Sequence, residues 1–144
     1  MIAVDTNILV YAHRREAREH QVARDTIRVL AENHLPWAIP WPCVYEFFSV
    51  VTNAKIWGDA ASSPAQAWTQ ISAWCGSPSV RLLREVDDSL RILADLLQRP
   101  RVRGPIVHDG RVAALCLAHG VERLLSRDRD FALFPELRIE NPFS

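Results

Sequence analysis

A chain of 144 residues with 49% apolar and 24% charged side chains can bury a core without disulfide or metal staples, which excludes the disordered and small disulfide-scaffold classes. Its 17 basic and 17 acidic residues cancel, so bulk charge by itself gives no argument for a nucleic-acid partner. The three cysteines, Cys43, Cys75 and Cys116, are odd in number, widely spaced and set among apolar neighbours, the pattern of reduced core thiols in a cytoplasmic protein. No CxxC or HExxH pattern suggests zinc. The opening apolar run carries Asp5 and has no basic segment before it, unlike a secretory signal. Pro36, Pro40 and Pro42 interrupt the longest nearly uncharged window, Leu35 to Thr52, so no membrane span is expected.

Met1 to Val4 reads as a short buried strand that ends at Asp5, and a helix follows within two residues and runs to about His13. A second helix is predicted from Ala17 to Asn33, with Ala23, Ile27, Leu30 and Ala31 on one face. Pro36 forces extended backbone, and Trp37 to Ile39 reads as a buried strand. Pro42 sits where a helix would start, and Cys43 to Asn53 has helical apolar spacing through Val44, Phe47, Phe48 and Val51. Lys55 to Ser63 reads as a loop, and Pro64 opens a helix that reaches about Cys75. Val80 to Leu83 fits a third strand, and Asp87 or Asp88 can cap a helix striped by Leu90, Leu93 and Leu97. The basic loop from Arg99 to Pro105 leads to a helix from Asp109 to His119, with Gly120 as its C-terminal cap. Val121 to Leu125 includes a fourth strand, and Leu137 to Glu140 fits a last, edge strand. Strands alternating with helices over the whole length predict one domain, a three-layer α/β/α sandwich around a mainly parallel sheet.

In such a sheet ligands bind at the carboxyl ends of the strands, where the chain leaves and the next helix presents free N–H groups. Four acidic residues fall there or close by. Asp5 ends the first strand, Asp128 lies just past the fourth, and Asp109 opens a helix. Glu46 is the only charged residue between Leu35 and Thr52, and a lone carboxylate on so apolar a helix is costly unless a cation or strong donors meet it. Each also has a plainer reading: Asp5 and Asp109 as helix caps, Asp128 as a turn residue, Glu46 as a side chain pointing out through the packing. Taken jointly they suggest a cluster held ionised by a hard divalent cation, Mg²⁺ or Mn²⁺ rather than zinc.

The chain resembles the PIN-domain ribonucleases, and more closely the VapC toxins of bacterial toxin–antitoxin pairs. The matching pieces are Val4-Asp5-Thr6-Asn7-Ile8-Leu9-Val10-Tyr11, the Glu46 helix, His108-Asp109-Gly110-Arg111-Val112-Ala113-Ala114-Leu115, and Leu125-Ser126-Arg127-Asp128-Arg129-Asp130-Phe131. Gly110 departs from the family, which more often has Ala after the third acid. The resemblance implies a five-stranded parallel sheet in the order 3-2-1-4-5 over residues 1–144 and an acidic metal pocket of Asp5, Glu46, Asp109 and Asp128, with Asp130 as a fifth, outer ligand. By the same resemblance Thr6, Asn7 and Ser126 are supporting polar groups, the protein is a homodimer, and a VapB-type antitoxin blocks the pocket.

Clustered carboxylates with hard cations suit the hydrolysis of a phosphodiester, here in RNA. Setting the four proposed ligands aside leaves the basic residues in surplus by four, and Arg99, Arg101, Arg103, Arg127 and Arg129 lie near the acids in sequence. They are candidates for RNA phosphate contacts, against the alternative that they are solvated or paired with nearby acids. Trp37 and Trp41 are expected in or beside the core, whereas Trp57, Trp68 and Trp74 are also candidates for RNA stacking or a subunit interface. The leading expectation is a metal-dependent endoribonuclease acting as a toxin. Its alternatives are a housekeeping PIN nuclease in RNA maturation and a non-catalytic binding module.

Overall fold

The structure is a computed structural model that describes residues 1–144. Five strands, β1 (Ile2–Val4), β2 (Trp37–Pro40), β3 (Val80–Leu83), β4 (Arg123–Leu125) and β5 (Ile139–Glu140), form one sheet in the order β3-β2-β1-β4-β5. Every pairing is parallel, as the sequence led us to expect. Ala3 and Val4 point to opposite faces, and both are fully buried, so β1 is covered on its two sides. All four residues of β2 are buried as well, the run of apolar residues that a doubly covered parallel strand requires.

Seven helices surround the sheet: α1 (Thr6–His13), α2 (His20–Glu32), α3 (Trp41–Val51), α4 (Ala54–Trp57), α5 (Pro64–Cys75), α6 (Ser89–Leu97) and α7 (Ile106–Ala118). One cluster of 31 buried apolar side chains runs between them, with Phe47 of α3 edge-on to Trp74 of α5 at 5.0 Å between ring centroids. Helix α5 starts where Pro64 placed it, with a capping box between Ser63 and Gln66. Gly120 follows the end of α7 at φ +68°, the left-handed conformation that a C-terminal cap needs.

The boundaries differ where tertiary contacts outweigh local signals. Helix α2 starts at His20 rather than Ala17, because the chain from Arg14 onward is a turn drawn inward by the buried Arg14 side chain. That guanidinium lies 4.0 Å from the centre of the Trp57 ring, pairs with Glu16 and donates to the Ala60 carbonyl at 2.7 Å. The same contacts order the segment expected to be a loop, which instead forms α4 and a 3-10 turn over Gly58–Ala60. Asn53 caps α4 through the Lys55 N–H, and the Trp57 indole donates to the Val50 carbonyl at 2.8 Å. Cys43 and Cys116 are core thiols as anticipated, but Cys75 is exposed because it falls on the outward side of the last turn of α5. Trp74 is core, and Trp68 is the exposed tryptophan of that helix.

Gly110 lies where α7 packs against Leu97 of α6. A β-carbon there would stand 2.7 Å from Leu97 Cδ2 and 3.4 Å from Phe134 Cζ, so Leu97 occupies the place of the missing methyl group. Alanine needs only a rotation of the flexible Leu97 end and regains helix propensity, so Gly110→Ala is expected to change stability by less than about 1 kcal/mol. Gly110→Val must also displace the Phe134 ring and is expected to cost about 1–3 kcal/mol. Urea denaturation of the two variants checks both values.

Candidate metal centre

Strands β1 and β4 end together. Their register places Val4 opposite Leu125, so Asp5 and Ser126 leave the sheet side by side. The Ser126 hydroxyl donates to Asp5 Oδ2 at 2.7 Å, and Asn7 Nδ2 donates to the same oxygen at 3.1 Å. The Cys43 thiol reaches Asp5 Oδ1 at 3.6 Å. Asp5 is the N-terminal cap of α1 by position, yet its side chain makes no capping bond. Its carboxylate is turned across the sheet end instead. Burial pushes the Asp5 carboxyl above the usual carboxylate range, against the opposing pull of the Ser126 hydroxyl.

The other acids reach this edge from three directions. Helix α3 starts directly after β2 and carries the exposed Glu46, whose Oε2 accepts from Thr6 Oγ1 at 3.1 Å. Helix α7 starts three residues earlier than predicted, at Ile106, which sets Asp109 inside the first turn rather than at the cap. Negative charge is favoured there by the helix dipole. Asp128 follows Ser126, whose hydroxyl accepts the Asp128 N–H at 3.0 Å, and its own Oδ1 accepts the Asp130 N–H at 2.9 Å. Asn7 also accepts the Arg127 N–H at 3.2 Å, so Asp5, Asn7, Ser126 and Asp128 form one connected hydrogen-bond chain.

Carboxylate oxygens of Asp109, Asp128 and Asp130 all lie within 4.8 Å of one another. The tightest group is therefore these three rather than one centred on Asp5, which sits deeper behind them. Asp5 and Glu46 join Asp109 and Asp128 in lining a cavity of about 420 Å³, with Thr6, Asn7 and Trp57. A second cavity, of about 590 Å³, shares Glu46, Asp109 and Asp128 and adds Asp130 and His108. None of the five acids forms an ion pair within the chain. Arg111 lines the larger cavity but is tied to Glu85 at 2.6 Å. Burial first, then repulsion from Asp128, Asp5, Asp130 and Glu46, pushes the Asp109 carboxyl up to about 7. An all-oxygen donor set with uncompensated negative charge is what a hard divalent cation fits.

The candidate arginines divide into two groups. Arg99 is tied to Glu136, to Asp95 at 3.0 Å and to the Leu133 carbonyl at 3.1 Å. Arg127 pairs with Glu19 at 2.7 Å and donates to the Tyr11 hydroxyl at 3.0 Å. Arg101, Arg103 and Arg129 are exposed and have no partner within the chain. Sequence reasoning passed over Cys43 as a neighbour of Asp5. The signal was present, because Cys43 and Glu46 are three apart and so share one face of α3.

The PIN domain family matches residues 2–137, nearly the whole chain. The chain belongs to the PIN-domain family. Among PIN-domain proteins it is 33% identical to a VapC ribonuclease of Mycobacterium bovis over 142 residues, which cover 99% of this chain and 95% of the relative. It is 31% identical to ribonuclease VapC48 of Mycobacterium tuberculosis, over 97% of this chain and 96% of that protein. This PIN domain is thus one of the VapC ribonucleases. Of the solved structures, VapBC2 from Rickettsia felis bound to promoter DNA superposes with a TM-score of 0.71 at 20% identity, covering 98% of each chain. VapC20 of Mycobacterium tuberculosis, described as a Sarcin-Ricin loop cleaving toxin, superposes with a TM-score of 0.67 at 17% identity, covering 92% of this chain and 93% of that one. These likenesses show the PIN fold. PIN nucleases in general depend on divalent metal, in keeping with the acidic group found here.

The raised Asp109 pKa has a consequence for stability without metal. The folded state holds this proton up to about pH 7, whereas an unfolded Asp releases it near 3.8. The group's contribution is therefore fully present below about pH 4 and is lost as the pH rises through 7. Allowing for solvent screening of a half-exposed carboxyl, Asp109→Asn is expected to stabilise metal-free protein by about 1–2 kcal/mol at pH 8. The gain should vanish near pH 4. Chemical denaturation in EDTA at the two pH values measures it.

Proposed function

We propose that this chain is the toxin of a toxin–antitoxin pair and hydrolyses RNA phosphodiester bonds endonucleolytically with Mg²⁺, or Mn²⁺, held by Asp5, Glu46, Asp109 and Asp128, with Asp130 as an outer ligand. The observation that carries this reading is the convergence of five unpaired acids at the carboxyl ends of β1 and β4 in a chain that belongs to the VapC ribonucleases. A bound divalent ion supplies Lewis-acid activation of water and neutralises charge at the leaving 3′ oxygen.

The chain's own groups prepare that chemistry. Ser126, Asn7 and Cys43 fix both oxygens of Asp5 before any ligand arrives, and Thr6 does the same for one oxygen of Glu46. Asp109 gives up its proton when the cation binds, since a ligating carboxylate must be ionised. Arg101, Arg103 and Arg129 are free to meet RNA phosphates, whereas Arg99 and Arg127 act first as ties within the fold. A VapB-type antitoxin covering the acidic cavities and a homodimer of these chains follow the same reading. One domain over residues 1–144 is supported by the single core cluster and by a family match that runs from 2 to 137. No helix is long and apolar enough to cross a membrane, and we place the protein in the cytoplasm with its substrate.

Purified protein incubated with total RNA is expected to cleave with Mg²⁺ or Mn²⁺ and to stop in EDTA. Asp5→Asn and Asp109→Asn should each lose at least about 100-fold in rate, and Ser126→Ala about 10- to 100-fold in metal affinity. Cleavage that survives both chelation and the Asp substitutions would refute the metal mechanism. Calorimetric Mn²⁺ affinity should fall as the pH drops below about 7, where Asp109 regains its proton. Induced expression should arrest growth, an effect a housekeeping nuclease would not have.

A further inference from the structure

The geometry points to a second anion site, for a phosphate group, at the far end of α1. A cavity of about 230 Å³ opens there between α1, α2 and α5, lined by His13, Arg15, His20, Arg24 and Gln70 over an apolar floor of Ile27 and Trp74. No carboxylate lines it. The two acids on the adjoining turn are engaged elsewhere, Glu16 with Arg14 and Glu19 with Arg127.

The hydrogen bonds around the cavity leave donors for an incoming ligand. His13 Nδ1 donates to Gln70 Oε1 at 3.2 Å, which commits the amide oxygen and leaves the Gln70 NH₂ group without a partner. The other His13 nitrogen is held by the Ser62 hydroxyl at 2.8 Å. His20 Nδ1 donates to the Tyr11 carbonyl at 2.9 Å, so this ring is fixed with Nε2 unengaged. Arg15 and Arg24 are exposed guanidinium groups with no ion pair or hydrogen bond in the chain. Two free guanidinium groups facing a common concavity suit a tetrahedral oxyanion, which accepts bidentate bonds from planar forks. Eight residues of helix separate Asp5 from His13, roughly 12 Å along α1, so a single strand of RNA that extends beyond the acidic cavities is one source of such a phosphate. That source of the phosphate rests on the ribonuclease reading. The pocket's preference for phosphate does not.

Two measurements on the full chain separate the sources. In the first, potassium phosphate is titrated against potassium chloride of equal ionic strength while the His13 and His20 ring signals are followed by NMR. Saturable shifts, absent from the Arg15→Gln/Arg24→Gln variant, are expected. In the second, a single-stranded RNA oligonucleotide is bound in EDTA, where metal-dependent cleavage is silent. The double variant should bind several-fold more weakly, and its log–log salt slope should fall by about 0.7 for each phosphate that it no longer neutralises. Weakening in both measurements, or in the RNA measurement alone, assigns the pocket to the RNA strand. Phosphate shifts with unchanged RNA binding assign it to a free phosphate compound. No saturable shift in the native chain together with an unchanged salt slope overturns the site. Failure of the ribonuclease reading would leave the phosphate titration intact, so the two failures are distinguishable. Circular dichroism of the double variant excludes misfolding.

Discussion

The hydrogen bond from Ser126 to Asp5 is the interaction on which the rest of the site depends. It joins the ends of two neighbouring parallel strands that are far apart in sequence, and it exists only because the register sets Val4 against Leu125. A one-residue slip of that register would turn one of the two side chains to the opposite face of the sheet. The burial of Ala3, Val4, Leu124 and Leu125 makes such a slip expensive. The position of the buried carboxylate is thus set by apolar packing on both faces of the sheet, and the polar network is built outward from it.

The network fixes an arrangement that is unfavourable in the absence of a cation. A carboxyl raised to about 7 at Asp109 and another raised at Asp5 record repulsion and desolvation that the fold tolerates rather than relieves. Apolar packing of the 31-residue core is large enough to carry that load. The same acids would be ordinary surface residues if arginines were interleaved among them. In this chain the nearby arginines are directed away: Arg111 to Glu85, Arg127 to Glu19, Arg99 to Glu136. Leaving the acids without internal cations keeps the charge available to an external one, and that is the usual exchange of stability for function.

Much of this was legible in the sequence. Strand order follows from the family resemblance, β3 and α5 fall on their predicted residues, and the four acids meet because Asp5, Asp109 and Asp128 lie at or near strand ends or a helix start while Glu46 is on the helix that follows β2. The local signals failed where long-range contacts decide. Nothing in the charged run around Arg14 signals its burial, but packing against Trp57 makes it the tie that orders α4 and the 3-10 turn. Arg99 and Arg127 are by sequence candidates both for RNA contacts and for pairing with nearby acids, and they are paired: Arg99 locally with Asp95 but also with Glu136, 37 positions away, and Arg127 with Glu19, 108 positions away. Cys75 sits in an apolar run, yet its place at the end of a helix turns it outward. Pairings of this kind depend on three-dimensional proximity that no spacing rule encodes.

A net charge of zero conceals a segregated surface. Acids without partners gather at one edge of the sheet, unpaired arginines are near them in sequence at Arg101, Arg103 and Arg129, and others lie at the other end of α1, at Arg15 and Arg24. For a polyanion the two regions act in opposite senses. The acidic edge repels phosphate until a divalent ion reverses its local charge, while the basic groups attract the strand at any metal concentration. On the proposed reading, binding of the nucleic acid and the chemistry performed on it are therefore separable. There the first requires the guanidinium groups, and the second a cation held by Asp5, Glu46, Asp109 and Asp128.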